Sequence, residues 1–172
     1  AEMRGGSAHN AIAREAEAVV VIASKDRAKL ENALKGFKQT LQDEYGGIED
    51  GLSMTWSEVH TRRAATESDS RKMIAFLQAL PHGVHKMSAR IAGFVETSNN
   101  LATVELAEDG LKALSSQRSM TTSGLMEITR KIESVAQLAR AEVSRSDHYP
   151  AWKPNLNSPL LERSQKIYET LF

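Results

Sequence analysis

The sequence predicts an α+β domain, a mixed, largely antiparallel sheet with helices packed mainly on one face. Three observations lead there. Residues 19–22, Val-Val-Val-Ile, form an unbroken β-branched run, which fits a strand buried on both faces or at a sheet centre. Residues 52–59, Leu-Ser-Met-Thr-Trp-Ser-Glu-Val, alternate apolar and polar with period two, as a half-buried strand does. Glu108-Asp109-Gly110 places an Asp-Gly turn between two extended arms, a hairpin signal. Between these segments the apolar period lengthens to that of helices.

Taken in order, Gly5-Gly6 supplies the backbone freedom of a turn ahead of the first strand. Ser24 and Asp26 offer N-caps for a helix to about Tyr45, whose Leu30, Leu34, Phe37 and Leu41 make one apolar stripe expected to lie on the sheet. Gly46-Gly47 stops it. After the alternating segment, residues 60–69 read as a polar loop. A second helix spans about 68–80, with Met73, Ile74, Leu77 and Leu80 as its buried face, and Pro81 and Gly83 end it. Residues 91–97 and 101–106 read as extended, and residues 111–120 return as the second hairpin arm. A helix over 123–141 turns Leu125, Ile128, Ile132, Val135 and Leu138 toward the core, and 142–146 is expected to be one more short strand. From His148 the texture changes to a Pro- and aromatic-rich connector. Ser158-Pro159 then opens a last helix, with Leu160, Ile167 and Leu171 on its apolar side.

Composition narrows the function classes. Twenty-two basic and 22 acidic residues cancel, so neither a nucleic-acid nor a membrane footprint is expected. The absence of cysteine removes disulfides, thiolate metal sites and thiol nucleophiles, and suits a reducing compartment. No apolar run approaches the ~20 residues of a spanning helix, and no signal peptide opens the sequence. The first residue is Ala1 rather than Met, which is read as a sign of processing or of a fragment.

Candidate chemistry is sparse. No HExxH, phosphate-cradling glycine loop or nucleophile elbow is present. His9, His60, His82, His85 and His148 are scattered through expected loops, and the His82/His85 pair sits beside Pro81 and Gly83, a surface loop more readily than a metal site. Asn10, at the mouth of the first strand, has the donors and acceptor for a ligand contact, and equally for stabilising its own turn. Arg118 sits where a strand feeds a loop, a place for an anion contact or for a surface ion pair.

Three segments carry a more specific signal. Gly-Gly-Ser-Ala-His-Asn-Ala-Ile-Ala-Arg-Glu-Ala (residues 5–16) resembles the G-G-x-x-x-N-A-I-P-R-E-A segment of bacterial aminoacyl-histidine dipeptidases. Val95-Glu96-Thr97-Ser98-Asn99-Asn100-Leu101-Ala102 is similar to that family's V-E-T-S-x-N-L. Tyr149-Pro150-Ala151-Trp152-Lys153-Pro154-Asn155-Leu156-Asn157-Ser158-Pro159-Leu160 is similar to its Y-P-x-W-x-P-x-x-N-S-P-L. Order and spacing agree, and the resemblance spans nearly the whole chain.

The resemblance implies a cytosolic, zinc-dependent Xaa-His dipeptidase that carries two zinc ions in a catalytic domain and an inserted, ferredoxin-like lid that also dimerises. Residues 1–147 would be the lid and dimerisation domain, and residues 148–172 the connector and first helix returning toward the catalytic domain. The metal ligands and catalytic glutamate belong to segments not matched here, so this chain alone is expected to be inactive. By position, Asn10 matches a lid asparagine that contacts substrate, and Arg118 an arginine that grips the substrate's terminal carboxylate. The partners implied are an Xaa-His dipeptide and a second copy of the chain, joined through an edge strand or helix. Two departures stand out. Ala13 replaces the family's proline, which loosens the turn after Asn10. The family's R-G-G-H-S-G strand end and following helix have no counterpart between Arg4-Gly5-Gly6 and Ser7, so that motif's histidine is expected to be missing, and His9 does not replace it. The rival reading is a free-standing α+β small-molecule-binding or regulatory module. In that case residues 148–172 pack onto the domain, whereas in a lid they project.

Overall fold

The computed structural model describes residues 2–61, 63–146 and 150–172. Its ladder is antiparallel at every described pairing and is built around one long strand. Strand β4 (Val95–Ala107) pairs along its length with β5 (Gly110–Ser119), joined by the Asp109-Gly110 turn that the sequence predicts. The other edge of β4 is shared. Strand β3 (Gly83–Met87) takes the first half, with Gly83 opposite Asn99, and β1 (Glu2–Gly5) takes the second half, with Gly5 opposite Val104. Strand β2 (Ala16–Val19) closes a hairpin outside β1.

Helix α3 (Thr122–Ala139) packs on β4 and β5 on one face of this sheet, and α2 (Glu67–Ala79) packs against α3. Both start on threonine caps. Thr66 accepts from the Asp69 N–H and Thr121 from the Gly124 N–H, each satisfying a donor the helix cannot pair itself. The core lies under them: Leu80, Ala102, Ile128 and Ala136 are buried, together with Thr97 and Asn99. The two polar side chains are paired. Thr97 Oγ1 lies 2.8 Å from Ser119 Oγ, and Asn99 Oδ1 accepts from Gln117 Nε2 at 3.0 Å while its amide donates to the Pro81 carbonyl. The first turn of α3 presses close enough that a Cβ on Gly124 would stand 2.7 Å from both Thr97 Oγ1 and Ser119 Oγ.

Several local expectations are corrected. Residues 19–22 are not a central strand. Only Val19 belongs to β2, which is the sheet's outer edge on this side, and Val20, Val21 and Ile22 are exposed. Residues 52–59 make no strand pairing among the described residues and are not a strand. Alternation marks a surface able to be half buried, but a strand also needs a neighbour for its backbone groups. The first helix, α1 (Arg27–Tyr45), forms after a 3-10 turn (Ser24–Asp26) and ends at Gly46 and Gly47, as read. It does not lie on the sheet. None of its residues is buried and Phe37 is exposed, while the Arg27–Glu58 ion pair at 3.1 Å ties it to the irregular segment that follows. In α2 and α3, Ile74 and Leu138 face out, and small residues Gly124 and Ala136 take buried positions instead. Residues 142–146 form no strand, and His85 lies within β3 rather than in a loop. Residues 91–94 are turn-like, so the first arm of the hairpin is the single strand β4.

After α3, residues 141–146 and 150–158 are irregular, and α4 (Pro159–Leu171) is opened by Pro159 at its first turn. The connector residues Asp147, His148 and Tyr149 lie outside the described residues. No residue of α4 is buried, and Leu160, Ile167 and Leu171 are exposed. The chain exposes 14233 Å² in all. A compact monomer of 18.9 kDa would expose roughly 8,300 Å² by size scaling. Helices α1 and α4, in which no residue is buried, carry much of that surface.

Candidate functional site

The two faces of the sheet separate structure from chemistry. Residues directly opposite across an antiparallel ladder share a face, and alternate residues along a strand change face. In β4, Thr97 and Asn99 point beneath the helices. Glu96, Ser98 and Asn100 therefore belong to the opposite, open face. Arg118 is opposite Ser98 and Ser116 is opposite Asn100, so both share that face, and Val84 of β3, also opposite Ser98, completes the row.

Arg118 is exposed and makes no hydrogen bond or ion pair among the described residues, so its planar fork of donors is available to an anion. One residue pair further along the same face lies Glu96, whose side chain is largely covered and ion-paired with Lys86 at 2.9 Å. Its hydrogen bond and negative charge hold the Lys86 ammonium above its ordinary pKa.

Asn10 sits on the loop of residues 6–15 that joins β1 to β2, and it is exposed. The loop is closed at its base by the Gly6 N–H donating to Glu15 O at 3.0 Å, and it contains a weak turn, Ala11 N–H to Ala8 O at 3.4 Å. It is bound to the sheet next to Asn10, where Asn100 Nδ2 donates to the Ala11 carbonyl at 2.6 Å. The structure therefore brings the Asn10 loop and Arg118 to the same face of β4, the first through Asn100 and the second across from Ser98. His9 is on the same loop, exposed.

Among the described residues, His60, His82 and His85 do not assemble a metal centre. His85 Nε2 lies 3.3 Å from Glu127 Oε1 beneath α3, and His82 Nδ1 accepts the Leu101 N–H at 3.1 Å. Among the described residues no cluster of three or more His, Asp or Glu side chains is placed to hold a metal ion, so these residues do not form a zinc site by themselves. An open groove of about 430 Å³ runs between the β1–β2 hairpin and α2, floored by Met3, Ala16, Leu77 and Val104 with Glu15 and Glu17 at its rim. It is apolar and carries no reactive group. Among the described residues no helix is long and apolar enough to cross a membrane.

Sequence reading placed Arg118 and Asn10 but overlooked Asn100, Lys86 and Glu96. The signal was present in the alternation of residues 95–101, where Thr97 and Asn99 serve the core and the intervening residues face outward.

No family model matches the chain. The chain is 30% identical to the cytosol non-specific dipeptidase of Escherichia coli (strain K12) across 99% of its own length, covering 36% of that protein. It superposes on the crystal structure of aminoacylhistidine dipeptidase from Vibrio alginolyticus with a TM-score of 0.88 and 34% identity, covering 100% of this chain and 35% of that one. The chain thus spans about a third of the length of these two dipeptidases.

Proposed function

We propose that this chain, a homologue of about a third of the cytosol and aminoacylhistidine dipeptidases, is the lid and dimerisation portion of a zinc-dependent Xaa-His dipeptidase. In this reading residues 1–147 form the lid, and residues 148–172 are a connector and helix leading back toward a catalytic domain. The protein is cytoplasmic and pairs with a second copy. The observation that carries the reading is the convergence of an unpartnered guanidinium, Arg118, and the Asn10 loop on the sheet face that no helix covers.

Arg118 pairs with the terminal carboxylate of the dipeptide, two parallel N–H···O contacts that fix the substrate's direction as well as its position. Asn10 contacts the substrate from the neighbouring loop. Closing these groups over a bound dipeptide restricts its motion and keeps water from competing, a positioning contribution rather than a chemical one. Zinc would be held by the rest of the enzyme and would supply the activated water. The projecting α4, with its apolar side exposed, supports a lid over a free-standing module, which would have used that helix to complete a core.

The test is hydrolysis of Xaa-His dipeptides with added zinc, run on the gene product this chain comes from and on residues 1–172 alone. The reading predicts turnover by the former and none by the latter. Turnover by residues 1–172 alone, or none by the gene product, would refute it.

A further inference from the structure

The edge of β4 that faces β1 and β3 has a break. β3 pairs with β4 up to Asn99 and β1 resumes at Val104, leaving residues 100–103 without a strand partner on this edge. Three unlike contacts fill it. The Leu101 N–H is taken by His82 Nδ1. Gly6, at φ +68°, lies against the Ala102 carbonyl so closely that a Cβ there would stand 1.9 Å from the oxygen, a place only glycine fits. Asn100 reaches out to the Ala11 carbonyl.

These contacts differ in what they hold. Gly6 and Glu15 fix the two ends of the loop, which still leaves the eight exposed or half-exposed residues 7–14 between them with little structure of their own. A loop tied only at its ends samples many conformations. Among the described residues, the Asn100 amide is the side chain of the sheet that hydrogen-bonds the loop's interior, and it does so one residue from Asn10. Asn100 and Ser98 lie on the same face of the same strand, and Ser98 is opposite Arg118. We propose that Asn100 is a positioning residue, a latch that holds the Asn10 loop at a fixed distance from Arg118. The use of that distance for substrate rests on the function proposed above, whereas the latch itself does not.

Asn100→Leu keeps the size of the side chain and removes the donor. On the 172-residue chain, amide hydrogen exchange at Gly6 and Ala11 is expected to rise roughly two- to tenfold, the factor set by one lost hydrogen bond, with β4–β5 and α3 unchanged. No rise at these two amides would overturn the latch. An equal rise throughout the sheet would also overturn it, since Asn100 would then serve only general stability. In the gene product, Asn100→Leu is expected to raise KM for an Xaa-His dipeptide roughly threefold to tenfold while kcat stays within about twofold, the pattern of lost substrate positioning. The same substitution is expected to add nothing in an Asn10→Ala background, because the two act through one contact. Full additivity would contradict the proposal. If Asn10→Ala leaves KM unchanged, the substrate contact fails and the positioning role with it, while exchange at Gly6 and Ala11 separately decides whether the latch exists.

Discussion

Residues 67–139 and residues 20–66 begin with similar apolar patterning and end differently. In the first region, α3 packs on β4 and β5 and α2 packs against α3, and Leu80, Ile128 and Ala136 are buried. In the second, α1 carries a stripe at the same spacing, followed by an alternating segment with Leu52, Trp56 and Val59, and none of these side chains is buried. The difference lies in the partner. Periodicity tells which side of an element avoids water, and only tertiary context tells what covers it. The second region keeps its apolar side chains exposed or half-buried because no element of the sheet packs on them.

Substitutions sharpen the contrast. Ile128 is fully buried, so Ile128→Ala should destabilise the isolated chain by about 2–5 kcal/mol through lost transfer energy and a cavity. Denaturant unfolding checks this, and a cost near zero would mean that α3 is not part of the core. Phe37 is more than half exposed, so Phe37→Ala should change the same measurement by less than about 0.5 kcal/mol. A large loss would show that α1 packs on the domain after all. The smallest effect belongs to the Lys86–Glu96 pair. Its folded-state lysine pKa is raised, so its stabilisation is complete at neutral pH and fades as pH climbs through that raised value. With Lys86 half exposed, the effect is small. The Tm difference between wild type and Lys86→Gln should therefore shrink at strongly alkaline pH, and a difference that widens there would contradict the pairing.

Much of the fold was legible where local chemistry decides it. The Asp109-Gly110 hairpin and the Gly46-Gly47 stop formed as their residues predict, whereas Asp26 and Ser158 make no side-chain cap bond and the capping side chains are Thr66 and Thr121. The failures share one cause. Residues 19–22 and 52–59 were read as strands from composition and alternation, yet strand formation is decided by a neighbouring backbone that lies elsewhere in sequence or outside this chain. The site divides in the same way. Asn10 and Arg118 were named from the sequence as candidates, Asn10 within a motif and Arg118 by its position. Their convergence was not, because it depends on the β4–β5 register and on Asn100 reaching a loop 89 residues away.

The central claim is that Arg118, on the uncovered sheet face, reads the carboxylate of a dipeptide. Its most direct test compares kcat/KM of the gene product for an Xaa-His dipeptide and for the same dipeptide with its C-terminus amidated, in wild type and in Arg118→Ala. The account predicts that wild type strongly prefers the free carboxylate, by roughly tenfold or more given a charge-assisted bidentate contact, and that Arg118→Ala abolishes most of that preference. A preference that survives intact in Arg118→Ala would contradict the account.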